Sequence, residues 1–148
     1  MSFLFFRSPN PELSYSELFA MKLTREAFEE AAISALRGLP PFLKKKMENV
    51  DLVIEDRASK EILSEMELQS PYQLLGLYQG VPYQRRGFYY GNVLPDKITL
   101  FQIPIESICR TREEIEEKVR EVVIHEVGHY FGLDDERLRE LENGDGGE

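Results

Sequence analysis

The sequence has one cysteine, two histidines and no apolar run long enough to span a bilayer. The lone Cys109 excludes an internal disulfide, and its simplest role is that of a small, partly buried hydrophobe. A membrane helix needs about 20 consecutive apolar residues, and no such stretch exists. The opening residues Met1-Ser2-Phe3-Leu4-Phe5-Phe6-Arg7 are apolar, but too short for a secretory h-region and without a basic start. The sequence therefore predicts a cytoplasmic protein. Positive charge is scarce as well: 18 Lys and Arg stand against 27 Asp and Glu, a net charge of −9. Nucleic acid and anionic membrane surfaces both call for basic patches, so neither is expected as a partner. A peptide or protein substrate is not restricted by that balance. Nothing in the sequence defines an oligomeric state.

What is present suits one soluble domain. A chain of 148 residues, 42% hydrophobic and 30% charged, can bury a core without staples. Both histidines fall in one stretch, His125-Glu126-Val127-Gly128-His129-Tyr130-Phe131-Gly132-Leu133-Asp134-Asp135, which reads H-E-x-x-H-x-x-G-x-x-D. On a helix, residues four apart share a face, so the two imidazoles can reach one Zn²⁺ at roughly 2.0–2.1 Å each. Glu126 follows the first histidine and is placed to take a proton from a metal-activated water. Gly132 can adopt the left-handed conformation that ends a helix and turns the chain back. Asp135 then arrives as a third, carboxylate ligand, leaving a fourth position for water. A bare H-E-x-x-H also occurs in helices that bind nothing. Here a capped amphipathic helix precedes it and a glycine stop and an acidic residue follow in register, which favours the metal.

The elements around the motif can be read from periodicity and caps. Thr24 caps a helix over Arg25 to Arg37, with Ala27, Phe28, Ala31, Ala32, Ala35 and Leu36 at helical spacing, stopped by Gly38 and Pro40. A short helix over Pro41 to Met47 is expected next. Val50 to Glu55 reads as a strand with Val50, Leu52 and Ile54 on one face. Ser59 to Met66 reads as a helical turn or two. Leu74 to Tyr78 and the nearly continuous apolar run Lys97 to Ile103 read as strands, the latter covered on both faces. Residues 83–95, rich in aromatics and arginine, read as a loop or hairpin near the site. Thr111 and Glu114 form a capping box for a helix whose stripe is Ile115, Val119, Val122, Val123 and Val127. This helix delivers the histidines. A last short helix covers Glu136 to Leu141. Residues 1–21 read as an N-terminal extension in which Pro9 and Pro11 break regular structure. The phenylalanines at 3, 5 and 6 are expected to pack on the domain. Residues 22–141 form the domain and 142–148 a disordered tail. The predicted class is α+β: a small mixed sheet of three or four strands, with an N-terminal helix and the histidine-bearing helix packed on one side.

The motif resembles that of the zincin metallopeptidases. Its long form resembles the metzincin branch, in which a third histidine usually stands where this chain has Asp135; snapalysin-like proteases also have Asp there. The closer resemblance is to a small bacterial zincin-like metallopeptidase family. The resemblance rests on Ala27-Phe28-Glu29, Leu39-Pro40, Asn49-Val50, the run Leu74 to Pro82, the run Leu94 to Phe101, and His125 through Leu138, about residues 22–141. It implies a minimal zincin-like fold, Zn²⁺ on His125, His129 and Asp135, and peptide hydrolysis with Glu126 as general base. It also implies that an extended substrate pairs with a strand beside the active helix, for which Leu74–Tyr78 or Lys97–Ile103 would serve.

Two features depart from the metzincin pattern. No methionine follows Asp135, so a Met-containing turn is missing, and the thirteen residues after it leave any cleft shallow on its primed side. Asp134 and Glu136 flank the assigned third ligand, and spacing favours Asp135. A second oxyanion-stabilising group is expected, with Tyr83, Arg85, Arg86, Tyr89 and Tyr90 as candidates by chemistry. A zinc-binding protein-interaction module with little or no proteolytic activity is the alternative reading, against which the presence of Glu126 argues, since binding needs no base. Hydrolysis of a small non-peptide amide is a third.

Overall fold

Four strands make one mixed sheet in the order β1-β3-β4-β2. The computed structural model describes residues 2–7, 21–80, 96–133 and 135–143, the side chains of 2–7, Asp135, Leu141 and Glu142 excepted. The strands are β1 (Ser2–Arg7), β2 (Val50–Glu55), β3 (Leu74–Gly80) and β4 (Asp96–Phe101). β1 and β4 flank β3 in antiparallel fashion, and β2 runs parallel to β4. The class is thus α+β, with four strands among the described residues. β1 is an element that the reading from sequence did not place.

The helices are α1 (Arg25–Arg37), α2 (Pro41–Lys46), α3 (Lys60–Glu65), α4 (Gln102–Ser107), α5 (Arg112–Tyr130) and α6 (Asp135–Glu142). α1 starts where its sequence requires: the Thr24 hydroxyl accepts from the Ala27 N–H at 3.1 Å, a cap worth about 1 kcal/mol. Its apolar face, Phe28, Ala31, Ala32 and Ala35, is buried with Ile115, Val119, Val122, Val123 and Val127 of α5 and with Leu75, Ile98 and Leu100 of the sheet. Val50, Leu52 and Ile54 of β2 pack at the edge of this core.

Three expectations change. The run Lys97–Ile103 is not all strand: β4 ends at Phe101 and α4 begins at Gln102. Pro104 falls in the first turn of α4, where its missing N–H would have had no intrahelical partner. Helices also cover both faces of the sheet. Leu74, Leu77 and Phe101 point away from α5 and are buried with Ala58 and Leu68, while Ile62, Leu63 and Met66 of the α3 segment pack against them. Finally, β3 and β4 are interior strands, each paired on both sides, so neither offers a free edge. Residues 83–95 lie outside the described residues. No helix among the described residues is long and apolar enough to cross a membrane.

Candidate metal centre

α5 carries the site, and its two ends are fixed by local chemistry. At the start, the Thr111 hydroxyl accepts from the Glu114 N–H at 3.1 Å, and the Glu114 carboxylate accepts from the Arg110 N–H. The box thus closes one residue further back than Thr111. At the other end, the Leu133 N–H donates to the Gly128 carbonyl at 2.9 Å and the Gly132 N–H to the His129 carbonyl at 3.0 Å. With Gly132 at φ +81°, this is the Schellman stop, and it satisfies two of the last helical carbonyls. The turn at Gly132 is therefore as its sequence predicts.

Between these ends, one face of α5 lies along β3 in register. A Cβ on Gly76 would lie 2.5 Å from Val122 Cγ1. The Tyr78 N–H donates to Glu126 Oε2 at 3.3 Å. A Cβ on Gly80 would lie 2.4 Å from the Tyr130 hydroxyl. Four helical residues rise about 6 Å and two strand residues about 6.6 Å, so 122, 126 and 130 meet 76, 78 and 80 in turn. The glycines let strand and helix approach this closely. The Tyr78 ring also stacks on Tyr130, centroids 4.2 Å apart, and its hydroxyl donates to Asp96 at 2.8 Å.

This placement sets the state of Glu126. The residue is 1% exposed, and burial pushes its carboxyl from an ordinary 4.5 up to about 8, opposed by the Tyr78 N–H. The histidines stand on the neighbouring, more open face, His125 half-buried and His129 exposed. Their ring centroids are 5.7 Å apart at 74°. Two imidazoles on one tetrahedral Zn²⁺ put their centroids about 5 Å apart. The observed separation is close to that value, and imidazole nitrogens are donors of the kind Zn²⁺ prefers. Among the described residues, no group of three His, Cys, Asp or Glu side chains is arranged to hold a metal. Asp134 and the side chain of Asp135 lie outside them; the backbone of Asp135 opens α6. α6 folds back onto α5 through Leu138, whose Cδ2 would lie 2.1 Å from a Cβ on Gly128. Cys109 is buried in the core, and burial raises its thiol to about 12. The oxyanion candidates Tyr83, Arg85, Arg86, Tyr89 and Tyr90 lie outside the described residues.

Reading the sequence missed Gly76, Tyr78, Gly80, Gly128 and Tyr130. Isolated glycines within a strand do signal close backbone approach, and Gly76 and Gly80, four apart, were such a signal. Among curated proteins, none matches the chain. The model of the zincin-like metallopeptidases matches residues 47–145, which hold β2 to α6 and the whole of the centre described above. The match spans about two-thirds of the sequence, and the chain belongs to the zincin-like metallopeptidase family.

Proposed function

We propose that the protein is a zinc-dependent peptidase in which His125, His129 and Asp135 hold the metal and Glu126 is the general base. The observation that carries this reading is the pairing of two imidazoles on the open face of α5 with a buried carboxylate on the adjacent face. A bound Zn²⁺ supplies Lewis acidity and lowers the pKa of a coordinated water toward about 7.

The chain's own residues do the rest. Glu126 takes a proton on a carboxylate oxygen and later releases it to the leaving amine. Its raised affinity for a proton suits that exchange near neutral pH, where donor and acceptor forms are both within reach. The Tyr78 N–H fixes one carboxylate oxygen and so aims the group. The Gly132 stop turns the chain, and α6 starts three residues later at Asp135, which this reading takes as the third ligand.

Elemental analysis of the purified protein should find one zinc per chain, lost in His125→Ala and in His129→Ala. Asp135→Ala should weaken zinc binding, while Asp134→Ala should do little. One tightly held zinc in His129→Ala protein would overturn the ligand set. Loss of zinc in Asp134→Ala but not in Asp135→Ala would shift the third ligand by one residue. Casein cleavage by the zinc-loaded protein, with Glu126→Gln as control, separates a peptidase from a zinc-binding interaction module. The presence of a buried base beside the histidines favours the peptidase.

A further inference from the structure

The sheet has an occupant that the family domain does not include. β1 lies outside residues 47–145, yet it pairs with β3 along its whole length, from Ser2 opposite Gly80 to Arg7 opposite Leu74. β3 is the strand that α5 grips, through Gly76, the Tyr78 N–H and Gly80. The Ser2 end of β1 lies opposite Gly80, which sits beneath Tyr130, the neighbour of His129. β1 also runs beside α5. The edge of β3 next to the candidate metal centre is therefore filled by six residues of the chain itself.

Those six residues are held as any extended peptide would be. Antiparallel pairing uses backbone N–H and C=O groups, which every peptide carries. Among the described residues β1 pairs on one side only, and its register slips between Phe6 and Arg7. Its sequence, Ser-Phe-Leu-Phe-Phe-Arg, defines a class of segment: extended, rich in aromatics and large aliphatics, without acidic residues. We propose that the β3 edge covered by β1 is an exchangeable peptide site, which takes an extended aromatic-rich segment in place of residues 2–7. The inference rests on the peptidase reading for what the edge serves, and it identifies the class of peptide that reaches the centre. β1 then acts as a resident competitor that an incoming segment must displace.

The test is binding of a labelled hexapeptide, Ser-Phe-Leu-Phe-Phe-Arg, to the full chain. Leu4→Pro and Phe5→Pro are compared with the unchanged protein. Successive N–H groups of a strand face opposite sides, so one of these prolines removes a bond to β3 and the other faces outward. The first should bind the peptide at least tenfold tighter than the unchanged chain, and the second should match it. A Ser-Lys-Glu-Lys-Glu-Arg peptide should bind neither. In the unchanged chain, excess hexapeptide should speed amide hydrogen exchange in β1 while Leu77, Tyr78 and Gln79 stay protected. This second measurement decides the matter if a proline variant fails to fold. Unchanged protection of β1 under excess peptide, with no gain in either variant, would overturn the proposal. So would a peptide-resistant dimer that exchanges β1 between copies. Exchange without any hydrolysis would leave this site standing and remove the peptidase; hydrolysis without exchange would do the reverse.

Discussion

Two buried glutamates, Glu106 and Glu126, sit in the same small domain and are treated in opposite ways. Glu106, on α4, is 6% exposed, and its Oε2 accepts from the Leu23 N–H at 2.6 Å and from Gln102 Nε2 at 3.2 Å. The network goes on: Gln102 Nε2 donates to the Leu23 carbonyl, and Arg25 donates to Gln102, to the Ile54 carbonyl and to Asp56. Glu106 thereby ties the entry of α1 to the end of β2. Glu126 is more buried and, among the described residues, accepts one long bond from Tyr78. Two accepted bonds of the first kind hold a carboxylate still and tie it into the framework. Burial with a single bond leaves a carboxylate ready to trade a proton. The contrast separates a structural acid from a candidate base without reference to any motif.

The comparison is broken most directly at the chemistry. General base catalysis contributes about 10²–10⁴-fold. Glu126→Gln should lower peptide hydrolysis by that range while keeping one zinc per chain, since it removes no ligand. Glu106→Gln should change hydrolysis by only a few fold. Equal losses in the two variants, read on zinc-loaded protein, would mean that Glu126 is not the base.

Stability against pH sharpens the same contrast in metal-stripped protein. Between pH 4.5 and about 8 the folded chain holds a proton on Glu126 that the unfolded chain has released. The unfolded state binds fewer protons there, so this group's contribution to stability falls as pH rises through the window and levels off above it. At 1.36 kcal/mol per unit, the full fall is on the order of a few kcal/mol. Denaturant midpoints at pH 5 and pH 8 should therefore draw together in Glu126→Gln relative to the unchanged chain. The other carboxylates contribute alike to both proteins and cancel in that difference. An unaltered pH slope in the variant would show that Glu126 is not held protonated.

Glu106→Ala should act the other way. It leaves the Leu23 N–H and the Gln102 amide short of an acceptor in the interior, a loss of about 2–3 kcal/mol. For a domain of this size that is a fall in melting temperature of about 4–12 °C. Zinc stoichiometry should not move. A drop in zinc content at ordinary temperature would join the two regions that the structure keeps apart.

Much of this was legible in the sequence, and what was not has a common cause. The helix from Arg25 to Arg37, the Thr111 cap and the Gly132 stop rest on chemistry within a few residues, and each stands where it was expected. The spacing of His125 and His129 likewise follows from one helical turn. The burial of Glu126 against β3 depends on a contact 48 residues away, which periodicity does not encode. β1 was missed for the same reason. Four apolar residues between Ser2 and Arg7 can pack anywhere, and only their register with β3 makes the segment a strand. The strand Lys97–Ile103 was read too long because a helix start carrying proline at its third position resembles a strand end in composition.

The smallest expected effect concerns Gly132, and it isolates a backbone contribution from a steric one. A Cβ at Gly132 would meet nothing within 4 Å, so Gly132→Ala introduces no clash. Its cost is that of holding an L-residue at φ +81°, about 1–2 kcal/mol. That strain falls on the turn that leads from His129 to Asp135. If the turn positions the third ligand, zinc affinity should weaken by up to about tenfold, because 1.4 kcal/mol is one decade. Gly128→Ala supplies the contrast: its Cβ would press into Leu138 and displace α6. It should therefore lower both stability and zinc affinity, whereas Gly132→Asn, which tolerates the left-handed region better, should lie between alanine and the unchanged chain. Zinc affinities for Gly132→Ala, Gly132→Asn and the unchanged chain, measured by competition with a chelator, should rise in that order. An affinity indifferent to all three would mean that the chain reversal at Gly132 ends the helix and does nothing for the metal.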